Sequence, residues 1–199
     1  MSKIITITIA MDLVEDGILG LNDPVTKYIP EFENLKVAVS KDGKVLSEIK
    51  IDDPALSISK AMTEEACPFK LVSTDSLMTV LHLLNHEAGF YYATTNIYCL
   101  DSLLATKNLP TAKNSQELID LLAEMPLIQH PGTKHFYGTN TTVLGLVAER
   151  AAGKSLKQLV EERLTKPLGI NGLQYGLPPH TTLLPTFSAK DTILRTAKP

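Results

Sequence analysis

Positive charge is not in excess in this sequence. Lys and Arg number 19 against 22 Asp and Glu, a formal net charge of -3, so no basic footprint points to nucleic acid. No apolar run reaches the length of a membrane span. The run over residues 4–14 follows Lys3 and could pass for the apolar part of a signal peptide. However, Asp12, Glu15 and Asp16 close it and no small-residue cleavage site is apparent. Cysteine is scarce: Cys67 and Cys99 lack metal-type spacing and leave the redox compartment open. There is no internal repeat. What is there is 199 residues, 44% hydrophobic, long enough for one domain with a proper core or two small ones.

The N-terminal stretch has two conflicting signals. Ile4, Ile7, Met11 and Val14 recur at helical spacing, and Ile5, Ile9 and Leu13 widen the stripe, as expected for a helix buried on most sides. Its Ile and Thr content favours strand. The length and the Gly17 stop favour helix, with Ser2 as N-cap. Asp23-Pro24 then starts a short turn or helix with proline at its first position.

Residues 36–51 change period. Two alternating runs flank Asp42-Gly43 and read as a hairpin. Residues 52–73 are polar and irregular, with Pro54 and Pro68 as breakers, and read as a surface loop insertion. Ser73 or Asp75 is placed to cap a helix from Leu77 to Asn85. A further helix is expected over 96–106, and another opens at Asn114 with Glu117 three residues on. A helix through Val143, Leu144, Val147 and Ala148 stops at Gly153. Ser155 caps the next, from Leu156 to Leu164.

Several side chains invite a chemical role and also have an ordinary one. His82 and His86 are four apart, but Leu83 stands where the metalloprotease motif needs Glu, and no third ligand is evident. A structural role is expected for both, and no metal or cofactor. His130 and His135 flank a Pro-Gly turn and are candidates to line a substrate mouth. Ser57-Ile58-Ser59-Lys60 is a literal Ser-x-x-Lys, but it lies in a polar stretch with no packed helix to hold the pair. Lys3 alone would be a solvated lysine and Tyr137 a packing aromatic.

The order of motifs changes that weighting. Lys3 precedes Leu13-Val14-Glu15-Asp16-Gly17 and Asp23-Pro24-Val25. Leu83-Leu84-Asn85-His86-Glu87-Ala88-Gly89-Phe90 follows, then Pro131-Gly132, Phe136-Tyr137, Leu144-Gly145, Gly153-Lys154-Ser155-Leu156 and Pro167-Leu168-Gly169-Ile170. Over residues 1–178 this series resembles the β-lactamase-related serine hydrolases, the group of class C β-lactamases and penicillin-binding-protein-like esterases and transesterases. The resemblance implies a β-lactamase/transpeptidase-like α+β fold. The chain would hold mostly its helical part and one small β-hairpin, with an insertion over about 33–73, an irregular tail over 179–199 and most of the central antiparallel sheet outside.

In that family a Ser-x-x-Lys motif opens the helix. Lys3 takes the lysine place, so the serine is expected one residue before Met1. Tyr137 takes the place of the family tyrosine. Either Lys3 or Tyr137 is then the base that deprotonates the serine. The third motif places Thr139 where Asn is frequent, with Asn140 one later. Thr139 and Asn140 are therefore candidate substrate contacts, and both also suit capping the following helix, the favoured role of Asn140. No late Lys- or His-x-Gly motif is found. The expected function is acyl transfer on a small-molecule ester, amide or β-lactam-like substrate, with the chain inactive as given. The alternative is a non-catalytic binding module descended from the family.

Overall fold

The computed structural model describes residues 2–48, 69–92 and 98–173. Helix α1 (Ser2–Glu15) forms despite its β-branched content. Thr6 and Thr8 hydroxyls donate to the carbonyls of Ser2 and Ile4, at 3.5 and 2.9 Å, which spends their hydrogen-bonding capacity within the helix. Gly17 follows at φ +71°. Ile9, Ala10 and Leu13 are buried, but Ile4 is 67% and Met11 42% exposed. The helix is thus covered on one side, not on most sides as its sequence suggests.

That side packs on α5 (Asn140–Ala152), whose Val143, Leu144, Val147 and Ala148 form the centre of the core. Gly145 marks the crossing. A Cβ there would lie 3.4 Å from Thr6 Cγ2 and 3.2 Å from Leu156 Cδ2, so the helices approach closely because the side chain is absent. Gly153, at φ +65°, ends α5. Helix α2 (Val80–Leu84) also lies on α5.

The caps explain where the helices begin. Thr79, not Ser73 or Asp75, caps α2: its hydroxyl accepts from His82 N at 3.3 Å, and His82 Nδ1 accepts from Thr79 N at 3.2 Å. Leu77 is left outside the helix, 72% exposed. Helix α3 spans Tyr98–Lys107. Helix α4 (Ser115–Ala123) is capped by Asn114, whose Oδ1 accepts from Glu117 N at 2.9 Å. Ser155 and Gln158 form a capping box on α6 (Leu156–Val160). The single helix expected to Leu164 instead passes into a π-turn (Glu161–Thr165) and then α7 (Lys166–Leu168). Arg163 in that turn bridges Asp12 and Asp16 of α1, at 2.6 Å each. Pro24 sits one residue earlier than expected, at the N-cap of a short 3-10 turn (Val25–Lys27).

The hairpin is only half realised. Strand β1 (Lys36–Ser40) turns at Gly43, φ +81°, and returns through a single bridge from Val39 to Val45. The chain then leaves the strand direction as a 3-10 turn (Leu46–Glu48). Leu46 is drawn into a second apolar cluster with Tyr91, Leu100 and Ile128, and Ser47 N donates to Ile128 O at 3.1 Å. The main partner of β1 is β2 (Phe69–Ser73), antiparallel with Ala38 opposite Leu71. A strand therefore occupies part of the expected irregular insertion. Residues 49–51 and the Ser57–Lys60 motif lie outside the described residues. No described helix is long and apolar enough to cross a membrane.

Candidate active site

Three segments meet at the N-terminal end of α1. The first is Lys3, in the first turn of that helix. The second is the turn after α2, from His86 to Tyr92. The third is the loop from Ile128 to Thr139 ahead of α5. The second and third are laced together by backbone hydrogen bonds: Ile128 N to Gly89 O at 2.9 Å, Gly132 N to Glu87 O at 2.9 Å and Phe136 N to His86 O at 2.7 Å. Gly138 completes the contact. A Cβ there would collide with the Phe90 carbonyl oxygen and lie 2.6 Å from Tyr91 Cα, so only glycine lets the two backbones touch.

This lacing fixes Tyr137. Its ring stacks on His86 with centroids 5.0 Å apart and planes at 26°, and leans on Tyr92 at 5.6 Å and 52°. Tyr137 remains 55% exposed. Lys3 Nζ lies 5.1 Å from the Tyr137 centroid and 5.5 Å from that of Tyr92. The hydroxyls of Tyr137 first, and of Tyr92 second, hold the Lys3 ammonium above the ordinary lysine range, outweighing a smaller desolvation. Both distances fall within the range over which an aromatic ring attracts an ammonium. Sequence reasoning therefore named two of the three side chains that meet here. Tyr92 was missed, because nothing in the spacing from residue 3 to residue 92 announces the contact.

Thr139 and Asn140 part company. Thr139 stands at the N-cap position of α5 without a side-chain cap bond. It lines a cavity of about 600 Å³ with Tyr92, Leu104, Leu109, Leu118 and Leu122. Asn140 is fully buried behind Tyr137 and is the first helical residue, not the cap. Its Nδ2 donates to the carbonyls of Phe136 at 3.3 Å and Phe90 at 3.4 Å and faces His86 Nδ1 at 3.2 Å. Its Oδ1 has no hydrogen-bond partner among the described residues.

The histidines divide in the same way. His82 belongs to the α2 cap, and His130 faces Asp75 at 3.0 Å. His135 is exposed beside His86, with ring centroids 5.6 Å apart. His86 is half-buried, and burial first, then the charges of His135 and Lys3, hold its pKa below the ordinary histidine value. No cluster of three or more His, Cys, Asp or Glu suited to a metal occurs among the described residues.

The helical layer built on α1 and α5 is a β-lactamase/transpeptidase-like fold, as the family and structural matches show. A family model described as beta-lactamase matches residues 1–192, and the chain belongs to that family. Among its relatives, a lovastatin esterase of Penicillium rubens is 30% identical over 87% of this chain and 38% of its own length. The acyltransferase mokF of Monascus pilosus is 26% identical over 92% of this chain and 38% of its own length. The unliganded simvastatin synthase of Aspergillus terreus superposes with a TM-score of 0.58 at 23% identity, over 84% of this chain and 36% of that one. The octameric penicillin-binding protein homologue from Pyrococcus abyssi gives a TM-score of 0.50 at 23% identity, over 85% of this chain and 30% of that one. The chain thus spans well under half the length of the relatives it matches.

Proposed function

We propose that Lys3 and Tyr137 are the proton-handling pair of a serine acyl-transfer site of the esterase or transesterase type. The substrate would be a small-molecule ester, with amides and β-lactam-like carbonyls in the wider class. The observation that carries this reading is the Lys3 ammonium set beside the rings of Tyr137 and Tyr92, with Tyr137 at an open face. The relatives named as a lovastatin esterase and an acyltransferase support acyl transfer over other chemistries.

The electrostatics divide the labour. A lysine held above its ordinary pKa stays protonated at neutral pH and is a poor base. Acting as a phenolate, with the Lys3 charge beside it to favour that anion, Tyr137 Oη is then the acceptor of the serine hydroxyl proton and becomes the phenol. The serine oxygen attacks the substrate carbonyl. The proton on Tyr137 returns to the leaving alcohol as the acyl-enzyme forms, and a water or acceptor alcohol reverses the sequence. Thr139, at the cavity edge, is the substrate contact of the two candidates. Asn140 supports the Tyr137 loop from behind. The nucleophile in this reading is a serine one helical turn ahead of Lys3, preceding Met1, and residues 1–199 alone are inactive.

The test is covalent labelling by a fluorophosphonate probe, with the modified peptide mapped by mass spectrometry. In the native protein the label is expected on a serine three residues before Lys3. Tyr137→Phe should slow its acylation by about 10²–10⁴-fold, the usual weight of a general base. Residues 1–199 should stay unlabelled. Rapid labelling of Ser57 in that chain would overturn the assignment, and absence of any labelled serine in the native protein would favour a non-catalytic binding module.

A further inference from the structure

His86 is more than a neighbour of Tyr137. Its main-chain carbonyl accepts from Phe136 N, and its ring lies under Tyr137. Its Nδ1 faces two donors, the Gly138 N–H at 3.4 Å and the Asn140 amide at 3.2 Å. The Asn140 amide orientation is itself set by the two carbonyls it bonds. A nitrogen facing N–H groups must offer its lone pair, so the ring proton belongs on Nε2. There Thr141 Oγ1, 3.4 Å away, is the available acceptor. His86 thus holds the residues on both sides of Tyr137, Phe136 through its main-chain carbonyl and Gly138 through its ring.

We propose that His86 is a positioning residue. In its neutral Nε2–H form it holds Tyr137 beside Lys3, and uptake of a second proton on Nδ1 releases the loop that carries Tyr137. A proton on Nδ1 would point at two other donors, the Gly138 N–H and the Asn140 amide nitrogen as it stands. The charged and titratable groups around the ring act in the same direction. Lys3 from α1 and His135 from the loop both oppose a positive His86, Tyr137 covers its face, and Asn140 and Thr141 of α5 carry no charge. The site is therefore assembled at neutral pH and loosened in acid. The consequence for acyl transfer rests on the role proposed for Tyr137, but the placement of Tyr137 is measurable whether or not acyl transfer occurs.

The experiment is NMR on the full chain with ¹⁵N-labelled histidine and ¹³C-labelled tyrosine, titrated from pH 8 to 5. At the high-pH end His86 should show a protonated Nε2 and an unprotonated Nδ1. The Tyr137 ring signals should change in one step that coincides with the His86 titration. His86→Asn presents Oδ1 in place of Nδ1, cannot titrate and suits the positive φ of 57° at this position. It should keep Tyr137 in its high-pH environment throughout, whereas His135→Gln should leave the step in place. A proton on Nδ1 at pH 8 would overturn the proposal. So would Tyr137 signals that stay fixed while His86 titrates, or a step that survives in His86→Asn. If His86→Asn fails to fold, the tautomer and the coincidence of the two titrations in the unaltered chain still decide it.

Discussion

Gly138 shows how much of the site depends on one missing side chain. It has no positive φ to explain it; what it supplies is room for the Phe90–Tyr91 backbone. Gly138→Ala should destabilise the protein by about 1–3 kcal/mol, as overpacking does, and shift the Tyr137 ring signals, measured by urea unfolding and by NMR. His86 gives a second prediction. Its folded pKa lies below the ordinary histidine value, so the unfolded chain binds more protons through that window. Stability should be full above about pH 6.5 and decline as the pH falls through the folded pKa. The decline should be smaller in His86→Asn, checked by denaturant midpoints at a series of pH values. At this scale the sequence was readable where a motif carried the residue. Lys3 and Tyr137 stood out by their neighbours, whereas Tyr92 and the grip of His86 on Gly138 depend on contacts between segments far apart in the chain.

Helices were more legible than strands, for a physical reason. The start signals at Asn114 and Ser155 and the stop at Gly153 are local, and a backbone without a partner answers to local chemistry. Thr79 was overlooked because Ser73 and Asp75 were as plausible by type. What selected Thr79 was the His82 ring closing the reciprocal bond. Thr79→Ala should therefore cost about 1 kcal/mol, read from thermal or urea unfolding, with Asp75→Ala close to neutral. The strand error has the opposite origin. Asp42-Gly43 does make its turn, but burial of Leu46 in the second apolar cluster outweighs continued pairing, and β1 takes its partner from residues 69–73. Local turn chemistry identified the turn and could not identify the partner strand.

Across the whole molecule, the fold class was visible because a series of spaced motifs occurs in one order, and the family match over residues 1–192 agrees with it. The depth of burial was less visible. An apolar stripe around α1 suggests cover on most sides, and yet Ile4 and Met11 are exposed among the described residues. The chain's 38% share of the lovastatin esterase and of mokF makes any whole-protein activity a matter for the native polypeptide. The chemical core of the account can still be tested in residues 1–199. It holds that Lys3 is a standing cation and Tyr137 the proton acceptor.

The most direct measurement is the titration of Lys3 Nζ by ¹⁵N NMR, assigned with Lys3→Arg. Lys3 should remain ammonium at neutral pH and titrate above the ordinary lysine value of about 10.4. Tyr137→Phe should return it toward that value, with a smaller effect from Tyr92→Phe. A Lys3 that loses its proton near neutrality, or that titrates identically in Tyr137→Phe, would contradict the account and pass the role of base to the lysine.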